Sequence, residues 1–505
     1  MSDQSRSSAT TSAEPGWAAD VGSGEAAAAK PELTSADPQP TPADPAPMAS
    51  DHTVLYWLVA AAFVVILNET IMVTAIPRLM VDLSIDASAA QWLSTVFMLT
   101  MGVVIPLTGW LLQRLTTRAA FTTAMATFCI GTLLAALAPG FAVLLLARVI
   151  QAGGTAIMMP LLMTTLMQVV HERDRGRVMG SVSLAISVAP ALGPALSGVI
   201  LHSLSWRWIF VLVLPIAAAI AAIGLRRLRN VGETIDGRVD WASVAISVLG
   251  FGGLVFGLSE VGAPATRGVG AWSLAVGLLG VGVFTWRQLR LSRTDSALLD
   301  VRVLTIRVYA VSMAAMAIGF MALMGAIIVL QLYLQQARMI EPLVAGLVVM
   351  PGGLAMGLLG PWVGRMFDRH GARVVMIPGA IGLVGSCVGL VLLRLDTPLG
   401  VVVGLHVVLS LSLSFLFTPL FTMGLGAVPA RLYSHASSVL GTTQQVAGAM
   451  GTAVFVTVLA AFGGGMAGIQ GAFAVGAVLT LVVLALVLTL PARVSAPDDA
   501  PGATG

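Results

Sequence analysis

Residues 364–373 read Gly-Arg-Met-Phe-Asp-Arg-His-Gly-Ala-Arg, and residues 109–118 read Gly-Trp-Leu-Leu-Gln-Arg-Leu-Thr-Thr-Arg. One Gly and two Arg recur at the same offsets in both stretches, which start 255 residues apart. Each stretch follows a long apolar run and precedes another one. A repeat of this kind predicts a chain built from two homologous halves.

The composition places the chain in a membrane. Of its 505 residues, 57% are hydrophobic and 10% are charged, whereas a soluble domain is about 25% charged. Several soluble domains would need more surface charge than this, and the basic residues form no stripe that fits a nucleic-acid backbone. Soluble multidomain proteins and nucleic-acid binders are therefore excluded, and an integral membrane protein is predicted.

Fourteen stretches are long enough to cross a bilayer, since a membrane helix needs about 20 mostly apolar residues. They lie at roughly 56–77, 90–112, 118–137, 141–170, 177–201, 206–225, 240–260, 271–289, 308–335, 343–366, 373–393, 399–429, 434–462 and 469–490. The repeated stretch recurs after eight spans, so two extra spans, 240–260 and 271–289, separate the halves. The predicted fold class is an all-α integral membrane protein with two six-helix bundles and two inserted central helices.

The arginines predict the orientation, because connections rich in Arg and Lys face the cytoplasm. The even-numbered connections and the C-terminal tail hold nineteen arginines, and the odd-numbered connections hold five. We therefore expect both termini in the cytoplasm. We also expect a monomeric, multi-pass protein of the cytoplasmic (inner) membrane of a bacterium, in contact with the lipid bilayer.

The two ends of the chain differ from its body. Residues 1–53 are rich in Ala, Pro, Ser and Asp and hold few large apolar groups, so they cannot bury a core. The predicted organisation is a disordered cytoplasmic tail (1–53), a six-helix bundle (54–230), two inserted helices with linkers (231–300), a second six-helix bundle (301–491) and a disordered cytoplasmic tail (492–505).

Further motifs follow in an order typical of one family. Residues 148–155 read Arg-Val-Ile-Gln-Ala-Gly-Gly-Thr, residues 190–198 read Pro-Ala-Leu-Gly-Pro-Ala-Leu-Ser-Gly, and residues 68–70 read Asn-Glu-Thr. With the stretch at 364–373 and the fourteen spans, the chain resembles the drug:proton antiporter branch of the major facilitator superfamily and its fold. The Asn-Glu-Thr variant, together with residues 113–118, is similar to exporters of the lincomycin-resistance type.

The resemblance implies a transporter and not an enzyme. It implies proton-coupled efflux of small amphipathic or lipophilic compounds, such as antibiotics, by alternating access, with protons as partners and no cofactor beyond the proton gradient. No Gly-x-x-x-x-Gly-Lys-Ser/Thr loop occurs, so an ATP-driven mechanism of that type is excluded. Export of an endogenous metabolite or lipid and uptake by symport stay open, and a membrane enzyme is a further alternative against which the isolated acids argue.

Glu69 is the acid that lies deepest within a predicted span, where a charge is costly unless it faces a cavity or a partner. Arg148 in span four is its candidate partner. The resemblance implies that this pair couples proton transfer to transport; the alternative is that it braces the first half. The family's acid corresponds to Asn68, and adjacent helix positions differ by about 100°, so the direction in which Glu69 points is open.

Pro190, Gly193, Pro194 and Gly198 belong to the motif in span five. Proline bends a helix and glycine lets a neighbouring helix pack closely. We therefore expect Gly193 and Pro194 at the interface where the two halves rock. An ordinary helix kink is the alternative.

The resemblance implies that the two repeated stretches are gates. Asp368 is expected to cap the start of a neighbouring helix, whereas Gln113 replaces the acid in the first half, so we predict an asymmetric latch that is stronger at Asp368. The residues of the two gates are Gly109, Gln113, Arg114, Arg118, Gly364, Asp368, Arg369, Gly371 and Arg373.

Polar residues within the spans are candidates for contacts with a substrate. They are Asn68, Gln331, Gln335, His406, Gln444 and Gln445. Glutamines in membrane helices also bond to neighbouring helices, and the alternative for His406 is a buried neutral imidazole. The cysteines, Cys129 and Cys387, fall inside separate spans, and neither a disulfide nor a metal site is predicted.

Overall fold

The structure is a computed structural model, and it describes residues 53–231, 234, 239–260, 266–294 and 296–492. Fourteen long helices make up most of these residues. They are α1 (Thr53–Asp82), α2 (Ala87–Arg114), α3 (Thr117–Ala136), α4 (Phe141–Val169), α5 (Arg175–Ser203), α6 (Arg207–Arg227), α7 (Trp241–Glu260), α8 (Arg267–Leu291), α9 (Arg307–Ala337), α10 (Pro342–His370), α11 (Ala372–Val391), α12 (Leu399–Gly426), α13 (Tyr433–Ala461) and α14 (Met466–Thr489).

Two of these helices change their winding. α7 contains a π turn at Val248–Gly252, and α9 ends in another at Tyr333–Ala337. Short 3₁₀ helices lie at Glu172–Asp174, Ser292–Thr294, Val301–Thr305 and Ala430–Leu432. The first and last of these directly precede α5 and α13, which occupy equivalent places in the two halves.

Thirteen helices within the described residues are long and apolar enough to cross a membrane. The remaining helix, α5, has 29 residues and occupies the place of the predicted fifth span. A bilayer offers the backbone no outside partner, so long apolar runs form helices that satisfy their own hydrogen bonds. The all-α membrane fold is confirmed, and the crossing by α5 stays a prediction.

The same helix pairs pack together in the two halves. In the first half, α1 packs on α5 and α6, α2 packs on α4, and α3 packs on α4 and α6. In the second half, α9 packs on α13 and α14, α10 packs on α12, and α11 packs on α12 and α14. Each pair recurs eight helices later, which is the spacing of the repeated stretch in the sequence.

The two halves touch mainly through α5 with α10 and α2 with α13, and also through α4 with α13 and α5 with α12. The inserted helices α7 and α8 pack on each other, and α7 also packs on α2 and α13. The inserted pair therefore lies along one of the two main lines of contact between the halves.

The repeated stretches lie at the same end of the helical body, which we call the motif end. Side chains or backbone groups that meet there are Asp368 with Gly176, Gln113 with Arg431, and Arg373 with Leu490.

The helices that hold the repeated stretches extend past the ends predicted for spans two and ten, at 112 and 366. Residues 109–114 complete α2, and residues 364–370 complete α10. Leu112 of α2 and Phe367 of α10 still pack on the buried core near these helix ends. Gly371 then ends α10 with a φ of 82°, a conformation that glycine adopts without strain.

The boundaries predicted for the two tails need a small correction. Thr53 begins α1, and the carbonyl of Ala492 accepts a hydrogen bond of 3.0 Å from the N–H of Ala372. Both residues therefore belong to the helical body. The rest of the predicted tails, 1–52 and 493–505, lies outside the described residues.

Two adjacent glycines in α4 have different surroundings. A Cβ atom at Gly154 would overlap the backbone of α3 at the carbonyl of Ala124 and the N–H of Phe128. A Cβ atom at Gly153 would meet Thr127 Cγ2 at 3.8 Å, an ordinary van der Waals contact. The two helices therefore touch backbone to backbone at Gly154, as small residues in membrane helices allow.

We predict that Gly154→Ala destabilises the folded protein, whereas Gly153→Ala leaves its stability unchanged. The methyl group at position 154 has to separate α3 from α4, which costs about 1–3 kcal/mol. Thermal unfolding of the detergent-solubilised protein measures the difference. Equal unfolding temperatures for the two variants would contradict this packing.

Candidate functional site

Residues 68 and 69 of α1 have different surroundings. Asn68 is fully buried on the face of α1 that also holds Val64 and Met72. Within the described residues, neither the amide oxygen nor the amide nitrogen of Asn68 has a hydrogen-bond partner. Glu69, about 100° further round the helix, is half-buried. The acid is thus the residue that lies off the packed face of α1.

Arg148 is buried in α4 and is held by neutral groups. Its Nε donates a hydrogen bond of 3.3 Å to the Leu93 carbonyl, and one terminal nitrogen donates to Gln151 Oε1 at 3.1 Å. The guanidinium lies 4.0 Å from the centre of the Phe97 ring. Gln151 is fixed in turn, since its Nε2 donates to Thr132 Oγ1 at 2.9 Å.

Glu69 and Arg148 lie on α1 and α4, which pack on each other, and a carboxylate at Glu69 is within electrostatic range of the guanidinium. The described part of the chain contains no direct ion pair between them, so the guanidinium keeps its place through its neutral acceptors. A buried cation of this kind attracts a carboxylate without needing to move. The arrangement allows the carboxyl group of Glu69 to take up or release a proton while Arg148 stays fixed.

The motif of span five lies on α5, and Gly193 packs against α1. A Cβ atom at Gly193 would overlap Oγ1 of Thr70, which donates a hydrogen bond of 3.0 Å to the Leu67 carbonyl. The prediction that Gly193 lies between the two halves is therefore wrong. Gly193 lies between two helices of the first half, beside the turn of α1 that holds Glu69, because the small residue faces Thr70.

The other residues of this motif lie on α5 as well. Pro190 is exposed, and among the described residues no atom lies within 4 Å of a Cβ placed on Gly198. Pro194 lies within the helical backbone of α5, and its side chain is outside the described part of the structure.

Glutamines among the candidate substrate contacts take part in separate hydrogen bonds. Near the end of α9, Gln335 Nε2 donates to Gln331 Oε1 at 2.8 Å, and Gln335 is exposed. Gln445 Nε2 donates to the Met98 carbonyl at 3.2 Å and so joins α13 to α2 across the halves, and Gln444 beside it is half-buried.

His406 lies apart from these glutamines. It is buried in α12, where its ring packs against Gly352 of α10. Both helices belong to the second half, so the imidazole lies within one bundle.

Asp368 joins the two halves at the α5–α10 contact. Its carboxylate accepts hydrogen bonds from the backbone N–H groups of Gly176, at 3.0 Å, and Arg177, at 2.7 Å. These N–H groups belong to the first turn of α5 and have no partner within that helix. The negative charge also meets the positive end of the helix dipole.

Glycines bring the backbones of α5 and α10 together around this carboxylate. A Cβ atom at Gly364 would overlap the carbonyl of Gly176, and a Cβ atom at Gly180 would overlap the carbonyl of Gly360. The contact therefore contains little side-chain interlocking, and its directional bonds come from Asp368.

The α2–α13 contact has the same plan with different chemistry. A Cβ atom at Gly109 would lie 2.8 Å from Nδ1 of His435 and 3.4 Å from its Cα. Gln113 Nε2 donates one hydrogen bond, of 3.2 Å, to the Arg431 carbonyl. The start of α13 thus receives an amide donor in the place where the start of α5 receives a carboxylate.

The arginines of the repeated stretches mostly bond within their own half. Arg114 lies 4.6 Å from the Trp110 ring, and Arg118 donates to the Leu225 carbonyl at 2.7 Å. Arg373 donates to the Leu490 carbonyl at 3.3 Å, and Arg369 is exposed.

Among the described residues, three pairs of hydroxyl groups cross between the halves near the motif end, and the sequence did not predict them. The pairs, with their oxygen–oxygen distances, are Thr108 with Ser438 (2.7 Å), Thr164 with Ser437 (3.2 Å) and Ser183 with Thr418 (3.2 Å). Ser and Thr are common in membrane helices, so only their shared depth in spans of opposite halves could have indicated these pairs.

Comparisons with known proteins agree with this architecture. The sequence model of the Major Facilitator Superfamily matches residues 58–452. The uncharacterized MFS-type transporter YcnB of Bacillus subtilis is 38% identical over 444 residues, which cover 86% of this chain and 93% of that protein. The lincomycin resistance protein LmrB of Listeria monocytogenes is 36% identical over 402 residues, which cover 79% of this chain and 85% of that protein.

A solved structure gives the same result for the fold. The proton:xylose symporter XylE superposes with a TM-score of 0.64 at 12% identity, covering 88% of this chain and 96% of that chain. At this identity the likeness concerns the fold alone. The expected family fold is therefore confirmed, and so is the resemblance to the drug-efflux branch, through the relatives named for lincomycin resistance.

Asp368→Asn is expected to loosen the α5–α10 contact, because a hydrogen bond to a charged group is worth about 1.5–3 kcal/mol. The test uses a chain with Cys129→Ala and Cys387→Ala. The added pair Ser183→Cys and Thr418→Cys, whose native oxygens are 3.2 Å apart, should then form a disulfide about tenfold more slowly under mild oxidation.

Asp396→Asn is the matched control, since Asp396 is an exposed acid at the opposite end of the helical body. It should leave the rate of disulfide formation unchanged. A rate that is also unchanged in Asp368→Asn would contradict a latch at this carboxylate.

Proposed function

This chain belongs to the major facilitator superfamily, and we propose that within it the protein exports small amphipathic compounds in exchange for protons. Members of this family are transporters, so the alternative of a membrane enzyme is discarded. The observation that carries the proposal is a half-buried acid, Glu69, on a helix that packs against the helix of the buried Arg148 inside one half of the protein.

Glu69 supplies the coupling in this proposal. A carboxyl group that is enclosed by protein and close to a fixed cation can change its protonation state when its access to water changes. Binding of a substrate and binding of a proton then compete within one conformational cycle. The proton gradient drives export because protons enter as the substrate leaves, and no other energy source or cofactor is needed.

Alternating access requires an end that closes and reopens. The α5–α10 and α2–α13 contacts, with the three hydroxyl pairs behind them, hold the halves together at the motif end. We assign these contacts to the gate on the cytoplasmic side, in a monomer of the bacterial cytoplasmic membrane whose termini both face the cytoplasm. When the halves separate there, the hydroxyl groups lose their partners and face the opening.

The names of the relatives support the proposed substrate class. Proteins named for lincomycin resistance share about a third of their residues with most of this chain. Lincomycin, a small amphipathic antibiotic, is therefore the first substrate to test. Gln331, Gln335, Gln444 and Gln445 are the proposed neutral contacts for such a molecule, since an amide can both donate and accept hydrogen bonds.

We expect Glu69→Gln to abolish proton-driven export, because the amide cannot exchange a proton. The measurement uses everted membrane vesicles from a pump-deficient bacterial host that carry the protein. Uptake of labelled lincomycin on imposing a pH gradient should fall to the level of vesicles without the protein. Glu69→Asp should keep part of the activity.

Glu341→Gln provides the control, because Glu341 is an exposed acid at the start of α10. This variant should transport like the unmodified protein. Full transport by Glu69→Gln would exclude Glu69 from proton coupling. Absence of transport by the unmodified protein for both lincomycin and the lipophilic cation ethidium would contradict the proposed substrate class.

We also propose that the two closing contacts differ in strength, since Asp368 has a charge and Gln113 has none. Gln113→Asp would place a carboxylate at the start of α13, as Asp368 is placed at the start of α5. In the cysteine-free background, disulfide formation between Thr108→Cys and Ser438→Cys, whose native oxygens are 2.7 Å apart, should become about tenfold faster.

The control for this experiment is Gln113→Asn, which shortens the side chain without adding a charge. It should not accelerate disulfide formation. Equal rates for the Asp and Asn variants would show that a charge at position 113 does not strengthen the α2–α13 contact.

A further inference from the structure

The inserted helices α7 and α8 form a tightly joined pair. A Cβ atom at Gly250 would overlap Gly280, one at Gly277 would overlap Leu254, and one at Gly257 would overlap Leu274. Contacts between backbones on this scale leave the two helices little freedom to move apart. The pair therefore acts as one element of the structure.

This pair lies along α2 and reaches α13. The rings of Trp92 in α2 and Phe256 in α7 stack with their centres 5.7 Å apart. A Cβ atom at Gly102 in α2 would meet both Val255 of α7, at 3.0 Å, and Gln445 of α13, at 4.0 Å. The inserted pair thus covers the line along which α2 of one half meets α13 of the other.

Gln288 of α8 is an unusual residue for its position. The helix faces outward, with Trp272 74% and Leu279 70% exposed, yet Gln288 is fully buried. Its Nε2 donates to Ser243 Oγ of α7 at 2.7 Å. Its Oε1 accepts from the backbone N–H groups of Leu298, at 2.8 Å, and Leu299, at 3.2 Å. One amide therefore joins both inserted helices to the segment that follows them.

An ion pair supports this amide. Arg287 donates to the two oxygens of Asp240 at 2.8 Å and 2.9 Å, and the Ser243 hydroxyl donates to the same carboxylate at 2.5 Å. The hydrogen bond from Arg287 lowers the pKa of Asp240 to about 2, so the carboxylate stays charged at physiological pH. Ser243, and through it Gln288, is held in one orientation.

The segment 298–303, which Gln288 holds through its hydrogen bonds, packs at the motif end of the α2–α13 contact. Leu298, Leu299 and Val303 are buried. A Cδ atom of Leu299 lies 3.2 Å from the place of a Cβ on Gly109, where the ring of His435 also packs. The segment is therefore the third element at the point where α2 meets the start of α13.

Asp300 fixes the end of this segment. Its carboxylate accepts from the backbone N–H of Arg302 at 3.0 Å and from the Arg302 guanidinium at 2.7 Å. Burial raises the pKa of Asp300, but the hydrogen bonds from Arg302 outweigh this effect and hold the pKa below its usual value. The α2–α13 contact has no carboxylate at Gln113, but the charged carboxylate of Asp300 lies beside it. The charge of Asp300 acts on His435.

We propose that the inserted helix pair is a brace that keeps the α2–α13 contact closed, with Gln288 and Leu299 as the positioning residues that connect the brace to Gly109 and His435. The brace compensates for the neutral Gln113 by supplying packing and a fixed, charged segment from outside the two bundles. The proposal concerns a gate and so rests on the proposed alternating access.

The test measures closure directly and needs no transport. Gln288→Leu removes the amide and leaves the N–H groups of Leu298 and Leu299 without their acceptor. In the cysteine-free full-length protein in native membranes, disulfide formation between Thr108→Cys and Ser438→Cys should slow about five- to tenfold. Formation between Ser183→Cys and Thr418→Cys, in the α5–α12 contact, should change less than about twofold.

Two further variants keep the test decisive if Gln288→Leu is poorly folded. Gln288→Glu in its protonated form, which burial favours, keeps an acceptor oxygen for the Leu298 and Leu299 N–H groups and a donor for Ser243. It should keep the Thr108–Ser438 pair reacting within about twofold of normal. Leu299→Ala leaves every hydrogen bond of Gln288 in place but removes the side chain that packs on Gly109, and it should slow the same pair.

Gln470→Leu serves as the matched control, because Gln470 bonds to the Leu393 carbonyl, at the opposite end of the helical body. It should leave both pairs unchanged. An unchanged rate for the Thr108–Ser438 pair in both Gln288→Leu and Leu299→Ala would overturn the brace. An equal loss at both cysteine pairs would also overturn it, since it would indicate general loosening. These rates do not depend on proton coupling, so the test of the brace is independent of the result for Glu69.

Discussion

The contact between α5 and α10 sets the distance between the two halves at the motif end. Glycines at positions 176, 180, 360 and 364 let the two backbones touch, and no larger residue fits there. The carboxylate of Asp368 then finds two unpaired N–H groups at the start of α5. Closure thus depends on a few directional hydrogen bonds and on backbone contact. The two helices can separate there without first rearranging interlocked side chains.

The second closing contact repeats the geometry but not the chemistry. Gly109 meets His435 where Gly364 meets the first turn of α5, and Gln113 gives one bond from an amide in place of two bonds to a carboxylate. A protein with two unequal contacts would tend to open at the weaker one. The inserted helices lie along the contact that we propose to be the weaker one, which gives a physical reason for their position between the halves.

Much of this architecture could be predicted from the sequence, because it depends on local properties. Apolar runs give the helices, the repeated stretch gives the two halves, and the family resemblance of residues 364–373 implies the cap at Asp368. The partners across the structure could not be predicted in this way. Thr108 and Ser438 are 330 residues apart, and Gly193 packs on Thr70 because of how α1 and α5 are rotated, which uniformly apolar helices do not encode in their pattern. The burial of Gln288 likewise depends on a segment that follows its helix.

The shift of the acid from position 68 to position 69 also follows from the rotation of α1. Asn68 lies on the packed face, where it is fully enclosed and its amide is unpaired within the described residues. A carboxylate in the place of the Asn68 amide would be enclosed without a hydrogen-bond partner among the described residues. Position 69 is half-buried and lies within the electrostatic reach of Arg148. An acid there can meet water without disturbing the packed face, which supports the role in proton exchange that we propose for Glu69.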